Sequence, residues 1–113
     1  MINLSKLLRS SLFLLIVFYL GFNQSVLSQN FKVRHIIEIK NMKFVPSELT
    51  IHKGDTVIWI NRDIFPHDIT EIKNKTWSSA TLLQGKSWYK VITKNEDYYC
   101  SLHVVMKGAI IVN

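Results

Sequence analysis

The chain contains a single cysteine, Cys100, which opens a C-x2-H-x2-M motif with His103 and Met106 close to the C-terminus. A second histidine, His67, lies far upstream in the segment Ile64-Phe65-Pro66-His67. A thiolate, two imidazoles and a thioether form the ligand set of a mononuclear blue-copper centre, with two His and one Cys as strong ligands and Met as a long, weak axial one. Any fold this chain adopts must therefore let two distant stretches of backbone meet at one point. The ligand types suit a metal that changes oxidation state, because Cu(II) favours imidazole nitrogen and Cu(I) favours soft sulfur. A mixed set serves both with little rearrangement. A structural zinc site would instead close four strong Cys/His ligands around the ion, usually with paired cysteines.

The N-terminal segment bears on compartment. Residues 1–28 carry Lys6 and Arg9, then the apolar run Leu12 to Leu20, then a polar, small stretch ending in Val26-Leu27-Ser28. This is the order of regions in a secretory signal peptide, with cleavage expected near Ser28. The apolar run falls short of the roughly 20 residues of a spanning helix, so an uncleaved membrane anchor is the weaker reading. Removing 28 of the 113 residues leaves 85, a single small domain over residues 29–113. A domain of that size has a marginal core unless something staples it, and a bound metal can be the staple. A lone cysteine excludes an internal disulfide, and coordination gives Cys100 a role in an exported protein.

The whole chain carries a net charge of +6, and losing Lys6 and Arg9 leaves +4. The lysines of the mature part are scattered rather than run together. A nucleic-acid face is therefore not expected, and the surface reads as solvated, mildly basic and compatible with an acidic redox partner.

Along the mature chain the hydrophobic pattern has period two and no sustained helical period. Phe31 to Lys40 alternates, with Val33, Ile37 and Ile39 on one face, and Met42 and Phe44 continue the pattern. Leu49 to His52, Thr56 to Ile60, His67 to Ile72, Ser87 to Thr93, Tyr98 to Cys100 and Ala109 to Val112 read as further strands, with a turn at Lys53-Gly54-Asp55 and a loop from Asn61 to Pro66. Many short strands with frequent turns predict an all-β sandwich. His67, Cys100, His103 and Met106 then fall at strand ends or on loops that can converge at one end of it. His35 and His52 are expected to be ordinary strand residues, and Trp59, Trp77 and Trp88 core or rim aromatics.

The segments Met42-Lys43-Phe44-Val45-Pro46, Leu49-Thr50-Ile51, Lys53-Gly54-Asp55-Thr56-Val57, Trp59, Asn61, Pro66-His67 and Tyr98-Tyr99-Cys100-Ser101-Leu102-His103-Val104-Val105-Met106-Lys107-Gly108 resemble the plastocyanin-like cupredoxins. The short C-x2-H-x2-M loop is most similar to that of the amicyanins. The resemblance implies a Greek-key β-sandwich with one type 1 copper held by His67, Cys100 and His103, with Met106 axial. It also implies a monomeric, diffusible periplasmic electron carrier that docks transiently with a redox donor and acceptor such as a dehydrogenase or a cytochrome. An enzyme is not expected, since filled strong positions leave no site for substrate. The main alternative is a module for copper storage, delivery or sensing. Delivery proteins prefer Cu(I) through Met-rich or exposed His sites, however, and the mature chain has only Met42 and Met106.

Two departures from the family pattern stand out. Asp68 occupies a position where the family usually has Asn, and its carboxylate is expected to accept from the Ser101 hydroxyl or backbone N–H. Lys94-Asn95-Glu96-Asp97 replaces a Gly-containing turn before Cys100, with Asn95 expected to supply the left-handed conformation. Leu102, Val104, Val105, Phe65 and Pro66 are expected to form an apolar patch beside the metal.

Overall fold

The computed structural model describes residues 3–21, 25 and 28–113. It divides into two units, Met1–Asn30 and Phe31–Asn113. In the first unit, α1 spans Leu4–Gly21. Asn3 caps it, its Oδ1 accepting from the Ser5 N–H at 3.3 Å, which satisfies one of the free donors of the first turn. The helix takes in the Lys6 and Arg9 turns as well as the apolar run. Its 18 residues are long and apolar enough to cross a membrane, a property that signal sequences near an N-terminus share. Length alone therefore does not separate anchor from signal, contrary to the reading of the shorter run. Val26 and Leu27 of the expected cleavage site lie outside the described residues.

The second unit is built from eight strands: β1 (Arg34–Lys40), β2 (Lys43–Val45), β3 (Glu48–Ile51), β4 (Thr56–Asn61), β5 (Thr70–Glu71), β6 (Ser87–Val91), β7 (Glu96–Tyr99) and β8 (Lys107–Val112). They form two four-stranded sheets, β2-β1-β4-β6 and β3-β8-β7-β5. β1 runs parallel to β4 and β3 parallel to β8, with the other pairs antiparallel. Because the chain crosses repeatedly from one sheet to the other, the result is a Greek-key sandwich, the all-β architecture expected from the alternating pattern.

β4 shows how the sequence dictates this. Val57, Trp59 and Asn61 are buried while Thr56, Ile58 and Ile60 are not, so every second residue faces the opposite sheet. Ile37 lies beside Trp59 and Ile39 beside Asn61 in the neighbouring strand. Ile51, Tyr98 and Ile110 close the core from the other sheet. Phe44 and Trp59 both meet the Tyr98 ring edge-on, at 4.9 and 5.4 Å between centroids. Trp77 and Trp88 stack at 5.8 Å against the rim of this core.

Several local expectations are corrected. β1 begins at Arg34 rather than Phe31, and Val33 is 47% exposed, because the strand pairs with β4 only from Thr56 onward. Met42 does not continue a strand: Asn41 and Met42 have φ of 52° and 59° and form the two-residue turn between Lys40 and Lys43, the left-handed geometry that matches strand twist. The Val45–Pro46 peptide is cis. The strand read over His67 to Ile72 is reduced to Thr70–Glu71, with His67 forming an isolated bridge to Leu82. β7 extends back to Glu96 and stops at Tyr99, one residue before Cys100. Asn95 is not left-handed. Its Oδ1 instead accepts from the Val112 N–H at 2.8 Å, tying the start of β7 to the last strand.

The end of the sandwich far from Asn61 is fastened by Asp55. Its carboxylate accepts from His35 Nε2 at 2.9 Å, from the Val33 N–H at 3.0 Å and from the His52 N–H at 3.2 Å. The His35 hydrogen bond, helped by the Val33 N–H, pulls its pKa from 3.8 to about 2. A depressed carboxylate pKa stabilises the fold fully above the unfolded value, and the effect is lost as pH falls through the folded one. Asp55→Ala should therefore unfold at lower urea concentration than wild type at neutral pH. The gap between the two should stay constant down to about pH 4 and close as pH falls from 3.8 to about 2; a gap that does not vary with pH would refute this role.

Gly108 is required by close approach rather than by its backbone angle. A Cβ there would overlap the Cζ and hydroxyl oxygen of Tyr98, and Tyr98 is fully buried. Gly108→Ala should cost about 1–3 kcal/mol, the usual penalty for overpacking a core. Urea denaturation of the variant checks it, and an unchanged midpoint would show that the ring has room to move.

Candidate metal centre

The parallel pairing of β1 with β4 brings Ile39 and Asn61 to one end of the sandwich, and the site is assembled there. Asn61 is fully buried and organises the loop that follows. Its Nδ2 donates to the Phe65 and Leu82 carbonyls at 2.8 and 2.9 Å, and its Oδ1 accepts from the Asp63 N–H at 2.9 Å. A buried amide with its donors and acceptor all used is a rigid strut. The loop it shapes delivers His67, whose N–H and C=O pair with Leu82 at 3.1 and 2.7 Å.

Cys100 immediately follows β7, and the loop it begins is closed by its own backbone. The His103 N–H donates to the Cys100 carbonyl at 3.2 Å, the Met106 N–H to the His103 carbonyl at 3.0 Å, and the Cys100 N–H to the Met106 carbonyl at 3.0 Å. The short motif therefore folds back on itself, returning the chain to β8 with Met106 buried.

These two loops bring three side chains to one point. Cys100 Sγ is 3.7 Å from His67 Nδ1 and 3.9 Å from His103 Nδ1, and the two Nδ1 atoms are 3.2 Å apart. His67 and Cys100 are wholly buried, whereas His103 is half-buried. Trigonal ligation with bonds of about 2.0 Å to nitrogen and 2.3 Å to thiolate, the lengths found for zinc, gives ligand edges of about 3.5 and 3.7 Å. The observed triangle fits one late first-row metal ion. No other histidine of the described chain contributes. His35 is engaged by Asp55, and His52 is exposed in the same region.

Two carboxylates flank the triangle. Asp68 follows His67 directly and reaches the other loop: its Oδ1 accepts from the Ser101 N–H at 2.7 Å, and its Oδ2 takes a short hydrogen bond from the Ser101 hydroxyl. The Asp68 N–H points at Cys100 Sγ, 3.4 Å away, and Thr70 Oγ1 donates to Oδ1 at 3.0 Å. The tie between the ligand loops expected from sequence is present, made by both groups of Ser101. Asp63 was missed. Its Oδ2 lies 2.9 Å from His67 Nε2, and its carboxylate also accepts from the Asn41 and Met42 N–H groups at 2.7 and 3.0 Å. Desolvation pushes the Asp63 pKa up, but the donors from Met42, Asn41 and His67 outweigh it, and the value is lowered overall. A carboxylate four residues ahead of a ligand in a loop was the available signal.

The rim is apolar. Phe65, Pro66, Leu102, Val104 and Val105 are all exposed, Val105 at 85%, and Ile64, which was not anticipated, joins them at 75%. The Phe65 ring meets the His103 ring at 6.4 Å between centroids.

A family description of copper-binding proteins, the plastocyanin/azurin family, matches residues 31–113. The chain belongs to that family. This cupredoxin is 34% identical over 83 residues to the amicyanin of Paracoccus versutus and 29% identical over 83 residues to that of Paracoccus denitrificans, in each case over 68% of this chain and 63% of the relative. It is 31% identical over 84 residues to a plastocyanin of Synechococcus, over 60% of this chain and 62% of the relative. The match thus spans a little under two thirds of each relative's length. Among solved structures, an oxidized amicyanin variant superimposes with a TM-score of 0.67 at 27% identity, covering 71% of this chain and 82% of its own. A Cu(I) amicyanin variant gives a TM-score of 0.66 at 26% identity, with the same coverage. The sandwich and the His, Cys, His, Met set are those of a copper-binding cupredoxin.

The Asp68 carboxylate accepts from both groups of Ser101, the residue that follows Cys100, and negative charge on the ligand loops favours the more positive oxidation state. Asp68→Asn retains an acceptor for Ser101 while removing the charge, so its reduction potential should lie above that of the wild type. Protein-film voltammetry of the two copper-loaded forms checks this, and a variant potential equal to or below wild type would contradict it.

Proposed function

We propose that this cupredoxin is a blue-copper electron carrier, with His67, Cys100 and His103 as strong ligands and Met106 as the weak axial one. The observation that carries the reading is the 3.2–3.9 Å triangle of donor atoms, two of whose residues are sealed from water and the third of which reaches the rim. Copper, when bound, supplies a one-electron couple. The protein's task is to hold the donors in a geometry that favours neither oxidation state strongly, and to keep water out. His67 and Cys100 sit at 0% exposure and Met106 at 3%, so solvent has no route to the sulfur through them. His103 alone reaches toward the surface, which gives an electron a short exit.

The exposed collar of Ile64, Phe65, Pro66, Leu102, Val104 and Val105 surrounds that exit. An apolar patch of this kind suits brief docking with a redox donor or acceptor, held by a small interface that releases quickly. The N-terminal segment, with its cations ahead of an apolar helix and small residues near Ser28, supports export to the periplasm and removal of residues 1–28. The relatives are named amicyanin and plastocyanin, which favours carriage over storage or delivery.

Cu(II) added to the mature protein should produce intense visible absorption from thiolate-to-metal charge transfer and a reversible one-electron wave, and Cys100→Ser should abolish the colour. Colourless copper binding, or tight Cu(I) binding without a reversible couple, would favour delivery instead. Val105→Asn, which adds no charge, should leave the potential in place while slowing bimolecular electron transfer with a partner by about tenfold, equivalent to ~1.4 kcal/mol of docking energy. Stopped-flow kinetics with a purified redox protein checks it, and an unchanged rate would move the docking surface elsewhere.

A further inference from the structure

His67 has two ring nitrogens with different tasks. Nδ1 faces Cys100 Sγ and His103 Nδ1, 3.7 and 3.2 Å away. Nε2, on the other side of the ring, meets Asp63 Oδ2 at 2.9 Å. The ring is fully buried and the Asp63 side chain only 13% exposed, so little solvent competes for this hydrogen bond.

Asp63 is itself immobilised. Its N–H is held by Asn61 Oδ1 at 2.9 Å. Its Oδ1 accepts from the Asn41 N–H at 2.7 Å, and its Oδ2 is shared between the Met42 N–H at 3.0 Å and His67. Asn41 and Met42 both have positive φ and form the turn between β1 and β2, so the carboxylate grips a hairpin in one direction and an imidazole in the other. This arrangement goes beyond what the loop needs for closure, which Asn61 already provides through Phe65 and Leu82.

We propose that Asp63 is a positioning residue of the metal centre: by accepting from His67 Nε2–H while anchored to the Asn41–Met42 turn, it fixes the ring in the tautomer whose Nδ1 lone pair faces the site and makes that nitrogen a stronger donor. The inference rests on His67 being a copper ligand, as proposed above. A carboxylate behind an imidazole draws the Nε2 proton toward itself and raises the electron density of the ring, and such partners of metal-bound histidines tune both orientation and affinity. A more basic nitrogen favours Cu(II) over Cu(I). Asp63 and Asp68 thus act on the centre by different routes, one through the back of an imidazole and the other through Ser101, the residue after the cysteine.

Two variants and one measurement on the unaltered protein test this. Asp63→Asn keeps an oxygen that can accept from His67 but loses the charge and one of the hairpin bonds, while Asp63→Ala loses all of them. Both should retain the blue absorption and have a raised reduction potential. Asp63→Ala should also bind Cu(II) about 10–100-fold more weakly, the usual effect of removing such a partner. A purely structural role would lower the urea midpoint and leave the potential where it was, which would overturn the proposal. In the diamagnetic Cu(I) form of the 15N-labelled wild type, His67 should show a proton on Nε2 that exchanges slowly with water and none on Nδ1. The opposite tautomer, or a rapidly exchanging Nε2 proton, would overturn it without any substitution, so misfolding of a variant cannot hide the answer. A wild type that fails to turn blue would count against copper ligation itself. A blue wild type whose potential is matched by both variants would count against Asp63 alone.

Discussion

Cys100 Sγ and His67 Nδ1, both sealed from water, lie 3.7 Å apart. Burying polar groups is costly; the Asp68 N–H and the Asp63 carboxylate offset part of that cost, and an ion that binds both the sulfur and Nδ1 would offset the rest. The two sheets, the Asn61 strut and the self-closed Cys100–Met106 loop all keep these atoms where one ion can satisfy them. A bound ion would add stability to the folded state by mass action, in a domain whose size limits what its core supplies.

The support behind the site is apolar and tightly packed. Tyr98, two residues before Cys100, is pinned by Phe44, Trp59 and the missing side chain of Gly108. Burial raises the Tyr98 pKa to about 12, and the neighbouring Trp59 indole N–H offsets this only in part. A neutral, rigid ring therefore stands close behind the cysteine at neutral pH. The charges that reach the centre are the two carboxylates on its loops. The centre thus has a dry aromatic back and a charged, hydrogen-bonded flank.

Much of this was legible in the sequence, for physical reasons that differ by element. The core half of β1 could be read because apolar and polar residues alternate along it, and β4 because it is a short apolar run, Val57 to Ile60, that follows the Lys53-Gly54-Asp55 turn. The ligand set could be read because few combinations of Cys, His and Met at that spacing have another use. The Asp68 tie to Ser101 could be read because it joins neighbours of two ligands. Asp63 was missed because its spacing ahead of His67 is only a weak signal, and its importance comes from a hairpin turn 22 residues away meeting the same carboxylate. Asn95 was misjudged because an Asn in a turn serves equally as a left-handed residue or as a side-chain acceptor, and only the position of Val112 decides between them. Ile64 escaped notice because its exposure depends on how Asn61 shapes the loop.

The most direct test of the account is X-ray absorption at the copper K edge, recorded on the oxidised and reduced forms of the loaded protein with Cys100→Ser alongside. One short sulfur and two nitrogen scatterers in both oxidation states, with the sulfur lost in the Cys100→Ser protein, are the predicted result. A copper shell of nitrogen and oxygen alone, or one whose number of strong ligands changes between the two states, would contradict the claim that the fold holds a single preformed site.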